Sequence, residues 1–183
     1  MRDVEILTDL IEKLGDDVRA EIGELSQEEL DWQPDPEANS IGVTVWHFSR
    51  WLDVLAERAL ADQPAEQELW HTRGWAARTG YDPRGAGYEG LGVLTGYTLA
   101  EVAAVPHLPT GDLLEYLGQV CAALRERLLA LPEGGLYQPA PGLGSRRTPY
   151  KWVRSILMGC FGHVGEIEAL KAMRERALRR HVA

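Results

Sequence analysis

Only two cysteines occur in the chain, Cys121 and Cys160, and both fall within apolar helical patterns. A disulfide framework is therefore not the basis of the fold, and a reducing cytoplasm is the expected compartment. No apolar run approaches the length of a membrane span. The opening residues, MRDVEILTDL, lack an unbroken apolar segment and carry acids early, so no signal peptide is expected. Strand-like alternation of useful length is missing, and so are internal repeats. There is no Ser-His-Asp order, no phosphate-binding loop and no G-x-G-x-x-G fingerprint, which leaves no support for those metal-free enzyme classes. Basic charge is scarce: 19 Lys and Arg face 28 Asp and Glu, for a net charge of −9. Such a surface repels a phosphate backbone, so neither nucleic acid nor a membrane is an expected partner.

What is present is helical periodicity. The 183 residues are 45% hydrophobic, enough for one domain over residues 1–183. Val4, Leu7, Leu10, Ile11, Leu14, Val18, Ile22 and Leu25 recur at three- and four-residue steps and predict a first long helix. Ser26 to Glu29 spells a capping box for a short helix that Pro34 and Pro36 end. Ser40 is a fitting N-cap for a second long helix from Ile41 to about Ala61. A third runs from about Asp112 to Leu131. Thr148 and Pro149 open a fourth that reaches about Arg180. Residues 62 to 111 are rich in Gly and Pro and predict a long connection, with a short helix after the capping box Thr98–Glu101. Its aromatics, Trp70, Trp75, Tyr81, Tyr88 and Tyr97, predict order there. The expected fold is all-α: an up-down four-helix bundle with this connection between the second and third long helices.

One stretch raises a question of chemistry. In MGCFGHVGEIEAL, residues 158–170, a lone imidazole stands among apolar residues, and glycine recurs at 159, 162 and 165. At 100° per residue, Trp152, Ile156, Ile167 and Leu170 fall within about 40° of His163, which centres it on the predicted buried stripe. A core histidine is one reading and a metal ligand is the other. Each helix glycine costs roughly 1 kcal/mol against alanine. Close helix–helix approach would explain three of them, and so would space for a bound molecule. His47, within W-H-F-S-R-W on the second helix, flanks that helix's apolar face. Facing helices supply metal ligands from such positions, but a catalytic zinc normally takes three protein ligands.

Two segments resemble the DinB/YfiT-like superfamily of helical-bundle proteins. They are LSQEELDWQPDPEANSIGVTVWHFSRW, at the start of the second helix, and HVGEIEALKAMR in the last. The resemblance implies a divalent metal, nickel or zinc, held by one histidine on the second helix and an H-x-x-x-H pair on the last. His47 matches the first position and His163 matches the last. The middle position falls on Gly159, which has no side chain. Glu166, about 60° away on the wheel, is the candidate third ligand, because helical side chains lean toward the N-terminus. Cys160 on the other flank reads as a small buried hydrophobe. His71 and His107 read as loop residues.

Two functions are expected from this pattern. One is a metal-dependent hydrolase or a transferase using low-molecular-weight thiols, working in a pocket between the second and last helices. The other is a metal-free small-molecule binding or interaction protein of the same fold. Arg73, Arg78, Arg84 and the pair Arg146–Arg147 are candidate contacts for an anionic substrate. The resemblance also implies a homodimer.

Overall fold

The computed structural model describes residues 2–144 and 146–182. Among them there is no strand. The long helices are α1 (Arg2–Ile22), α3 (Ile41–Asp53), α7 (Thr110–Leu129) and α8 (Pro149–Val182); the short ones are α2 (Gln27–Asp31), α4 (Leu69–Thr72), α5 (Trp75–Thr79) and α6 (Leu99–Ala103). α1 packs on α7 and α8, and α3 packs on the same two. Among the described residues no helix is long and apolar enough to cross a membrane.

The helix starts follow from local chemistry. Ser26 and Thr98 each accept from the backbone three residues on, while Glu29 and Glu101 reach back to the cap, completing both capping boxes. Ser40 accepts from the Val43 amide. Thr148 accepts from the Lys151 amide at 3.3 Å, with Pro149 in the first helical position. Leu7, Ile11, Leu14, Val18 and Ile22 bury the predicted stripe of α1 against Leu113, Leu117, Val120, Leu124 and Leu128 of α7. The cleanest sequence periods thus became the core.

Two features were not anticipated. α3 does not end as an α-helix: Val54–Leu60 continues it as a π-helix. Wider turns of this kind often occur at functional sites. The loop after α7 lies tightly on this segment. The Gly142 amide bonds the Ala59 carbonyl at 3.1 Å, and a Cβ on Gly142 would sit 1.7 Å from the Arg58 carbonyl oxygen, so only glycine allows the approach.

The second is what lies beneath the long connection. Trp70 and Trp75 are wholly buried, and Trp46 packs edge-on against Trp70 and Tyr81. Trp70 and Trp75 form part of the main core and Tyr81 and Tyr97 pack against it, whereas Tyr88 is exposed. Below them Arg50, Asp53 and Glu68 are buried together with Tyr116. Arg50 donates to Asp53 at 2.9 Å, to Tyr116 at 3.0 Å, to the Gly92 carbonyl at 3.2 Å and to Glu68. Asp53 accepts from Tyr116 at 2.7 Å and from the amides of Leu69 and Trp70, so it caps the start of α4 from a distant helix. Burial opposes the charge of Arg50, but Tyr116, Asp53 and Glu68 around it hold its pKa above the usual value.

Candidate functional site

α8 presents a different face from the one its periodicity predicts. Its buried stripe is Val153, Leu157, Cys160, Val164, Ile167 and Leu170. His163 lies at the edge of that stripe, 31% exposed, and Trp152 and Ile156 are only half-buried. The expectation that His163 centres the stripe is corrected. α8 packs on both α1 and α3, and Cys160 and Val164, not His163, take the side shared between them.

The edge of the stripe lines a cleft. Its walls are His47, Phe48 and Trp51 from α3, Trp152, Ser155, Ile156, Gly159, Cys160 and His163 from α8, and Arg147 from the preceding loop. Its volume is about 270 Å³. The glycines of α8 now have a partial explanation. A Cβ at Gly159, Gly162 or Gly165 would meet nothing within 4 Å, so close approach of another helix of the same chain is ruled out. Gly159 borders the cleft and leaves its floor open beside His163.

The two histidines meet there, with ring centroids 5.0 Å apart and planes at 86°. Each ring is tied by its Nδ1. His47 Nδ1 donates to the Val93 carbonyl. His163 Nδ1 donates to Glu166 Oε2 at 2.7 Å. In that tautomer each Nε2 carries the lone pair. Burial pushes the His47 pKa down to about 4 against the opposing pull of the Val93 carbonyl, so His47 is neutral at pH 7. The hydrogen bond from His163 holds the Glu166 carboxyl below its usual range. Burial pushes the Cys160 thiol up to about 12, which leaves it unreactive as a nucleophile.

Glu166 does lean back toward His163, as its position on the helix predicts, but its carboxylate is engaged by the imidazole Nδ1. The donor set in the cleft is two imidazole nitrogens, with Gly159 at the third position of the pattern. That set falls short of the three protein ligands of a catalytic zinc centre. Among the described residues no group of three or more His, Cys, Asp or Glu is placed to hold a metal ion. These residues therefore do not fit the metal that the resemblance implies.

The other candidates lie elsewhere. His71 stands 3.9 Å from Asp82, and His107 bonds Asp31 at 2.9 Å. Arg78 pairs with Asp112 and Arg84 with Asp82 and Glu66. Arg147 is the arginine of the predicted set that reaches the cleft, with its guanidinium carbon 4.7 Å from the centre of the Trp152 ring. Sequence reasoning missed the carbonyl of Val93, which comes from the long connection. It also missed Arg50, although an arginine inside W-H-F-S-R-W was a signal of a buried partner.

Comparison with known proteins follows the same lines. Curated proteins yield no match. Among solved structures, one described as the crystal structure of the conserved protein of locus from Enterococcus faecalis is similar, with a TM-score of 0.75 at 17% identity, over 92% of this chain and 95% of that one. At that identity the likeness is one of fold. The model of the DinB superfamily matches residues 10–167. With so much of its length matched, and with the residues that line the cleft inside the match, the chain belongs to the DinB superfamily.

Proposed function

We propose that this protein binds a small molecule in the cleft between α3 and α8, without a resident metal, and that the His163–Glu166 pair is the cleft's proton acceptor. The four long helices are read as an up-down bundle that holds the cleft walls rigid. A carboxylate on Nδ1 fixes the ring and the tautomer of His163, which leaves the Nε2 lone pair turned to the cleft as an acceptor. His47 stays neutral beside it and adds an acceptor without charge. The carrying observation is the bond from His163 to Glu166 at 2.7 Å beside an open Gly159, which uses the acid as a partner to the histidine. The proposed setting is the cytoplasm, where the two unpaired cysteines remain reduced.

The test is metal analysis of protein purified without a histidine tag, followed by calorimetric titration with zinc and nickel. The expected result is substoichiometric metal and no saturable binding. One tightly held ion per chain would overturn the reading in favour of a metal-dependent hydrolase or thiol-dependent transferase.

A further inference from the structure

The cleft offers acceptors and almost no donors. A carbonyl oxygen and a carboxylate oxygen can only accept, so Val93 and Glu166 fix the proton of each imidazole on Nδ1. Both Nε2 atoms are therefore acceptors. Neither has a partner among the described residues, and neither is sealed from the surface. The donors nearby are engaged or shut in. Trp51 Nε1 donates to Thr95 Oγ1 at 3.3 Å, Trp152 Nε1 has no accessible surface, and Arg147 already has partners, with its guanidinium over the Trp152 ring. The hydroxyl that remains in the lining belongs to Ser155, which is exposed.

Two unpartnered lone pairs beside an apolar wall call for a hydrogen from a ligand. The surroundings say what kind of ligand brings it. Among the described residues no carboxylate lines the cleft. From Gly134 to Gly165 the chain has no Asp or Glu, while Arg146, Arg147, Lys151 and Arg154 all occur there, so a cation is opposed. An anion would meet two imidazole lone pairs and no open donor. What fits is a neutral molecule with a hydrogen to give. Phe48, Trp51 and Ile156 form apolar walls, two of them aromatic faces suited to a flat ring. A volume of about 270 Å³ is near the lower end for small-molecule sites and is too small for a nucleotide cofactor.

From this we infer that the cleft takes a small neutral aromatic hydroxy compound, with its ring between Phe48, Trp51 and Ile156 and its hydroxyl donating to His163 Nε2. A ring draws charge from a hydroxyl oxygen, so an aromatic hydroxyl is a stronger donor than an aliphatic one. His163 is the better acceptor of the pair for such a group. Partial charge taken up at its Nε2 is answered by the Glu166 carboxylate on Nδ1, whereas His47 has only a neutral carbonyl behind it. His47 Nε2 sets the selectivity, because an ether or carbonyl oxygen at this end meets lone pair with lone pair. The inference rests on the reading of the cleft as a metal-free binding site and names its ligand class.

The experiment titrates the intact protein by calorimetry with three probes. They are 2-naphthol, 2-methoxynaphthalene, which keeps the ring and oxygen but has no hydrogen to donate, and the cation 2-naphthylmethylammonium. The expected result is one naphthol per chain, with the ether at least about tenfold weaker and the ammonium no tighter than the ether. The His163 Nε2 signal in nitrogen NMR should move with naphthol and stay with the ether. His163→Phe keeps a ring at a partly exposed position and should bring naphthol down to the level of the ether with an unchanged melt. Gly159→Leu places its Cβ in open space, and its side chain should fill the cleft and weaken naphthol about tenfold or more. Equal binding of naphthol and ether, both blocked by Gly159→Leu, would overturn the hydroxyl assignment while leaving the cleft a binding site. Tighter binding of the ammonium would overturn it in favour of a cation site. A preference for naphthol that survives His163→Phe would overturn the role of His163. If no probe binds, or if Gly159→Leu leaves naphthol binding intact, the inference and the reading beneath it both fall.

Discussion

His47 and His163 hold their rings edge to face with 5.0 Å between centroids, although each is anchored by its own Nδ1 to a different part of the chain. His47 leans on the Val93 carbonyl of the long connection, and His163 on Glu166 of its own helix. The pair is therefore positioned from two sides, and the burial of the His47 ring has a consequence for stability.

That consequence is acid sensitivity. Its pKa is near 4 in the folded chain against 6.5 ordinarily, so the folded state favours the neutral ring. The unfolded chain then binds more protons below pH 6.5. The contribution is complete above that value and is lost as pH falls toward 4. Between pH 7.5 and pH 5 this one group should cost about 2 kcal/mol of stability. Urea unfolding at both pH values is the measurement. In His47→Asn the gap between them should shrink by about that amount. An unchanged gap would show that the ring is not buried neutral.

Gly159→His probes the missing position. A Cβ there meets nothing within 4 Å, so the imidazole enters open space and the fold should gain a few tenths of a kcal/mol from replacing a helix glycine. It would stand one turn before His163 on α8, with His47 opposite. Zinc or nickel titration should reveal one saturable site per chain, and the unsubstituted protein should show none in the same titration. A variant that folds and still binds no metal would show that the two native rings cannot turn toward a common ion.

Arg50→Met tests the buried charges. It leaves Asp53 and Glu68 in the core without their shared cation, and burial already raises the Glu68 pKa above its usual range. Breaking such a pair from one side costs about 3–5 kcal/mol. Chemical denaturation should report a loss of that size. A loss under about 1 kcal/mol would mean that the network is dispensable.

The exposed glycines of α8 bear on assembly. Gly162 and Gly165 cost helix stability with nothing in the chain packed against them, and Met158 nearby is 70% exposed. A second copy of the chain is the proposed partner for this face. Light scattering should give twice the chain mass of 20.4 kDa at micromolar concentration. Gly162→Arg should return it to one chain without lowering the thermal midpoint. A monomer mass for the unsubstituted protein would remove the proposal.

How much of this was legible in the sequence depended on range. Ser26, Ser40, Thr98 and Thr148 announced their helix starts because a cap acts within one turn. Leu7 through Ile22 announced a buried face because the period is regular. The cleft was half legible: His47 and His163 could be matched by pattern, and they do meet. The stripe of α8 was misplaced because Trp152 and Ile156 count as apolar in a pattern but line an opening in the fold. Arg50, Asp53, Glu68 and Tyr116 were illegible as a group, since Arg50 and Tyr116 are 66 positions apart and no local rule joins them.

Three consecutive contacts from α3 reach the same short piece of the long connection: Arg50 to the Gly92 carbonyl, His47 to the Val93 carbonyl, and Trp51 Nε1 to Thr95 Oγ1 at 3.3 Å. Gly92 makes this possible with a φ of +65°, and a Cβ there would sit 2.5 Å from the Pro83 carbonyl oxygen. A protein engineer seeking a minimal scaffold would trim this connection first, as the Gly- and Pro-rich part between two helices. Trimming it would remove Glu68, uncover the Arg50 guanidinium and leave the Asp53 carboxylate facing no amides. It would also release the ring of His47. The segment that looks most like a spacer is thus a second keel of the molecule, and any shortened design must replace its carbonyls before it discards its residues.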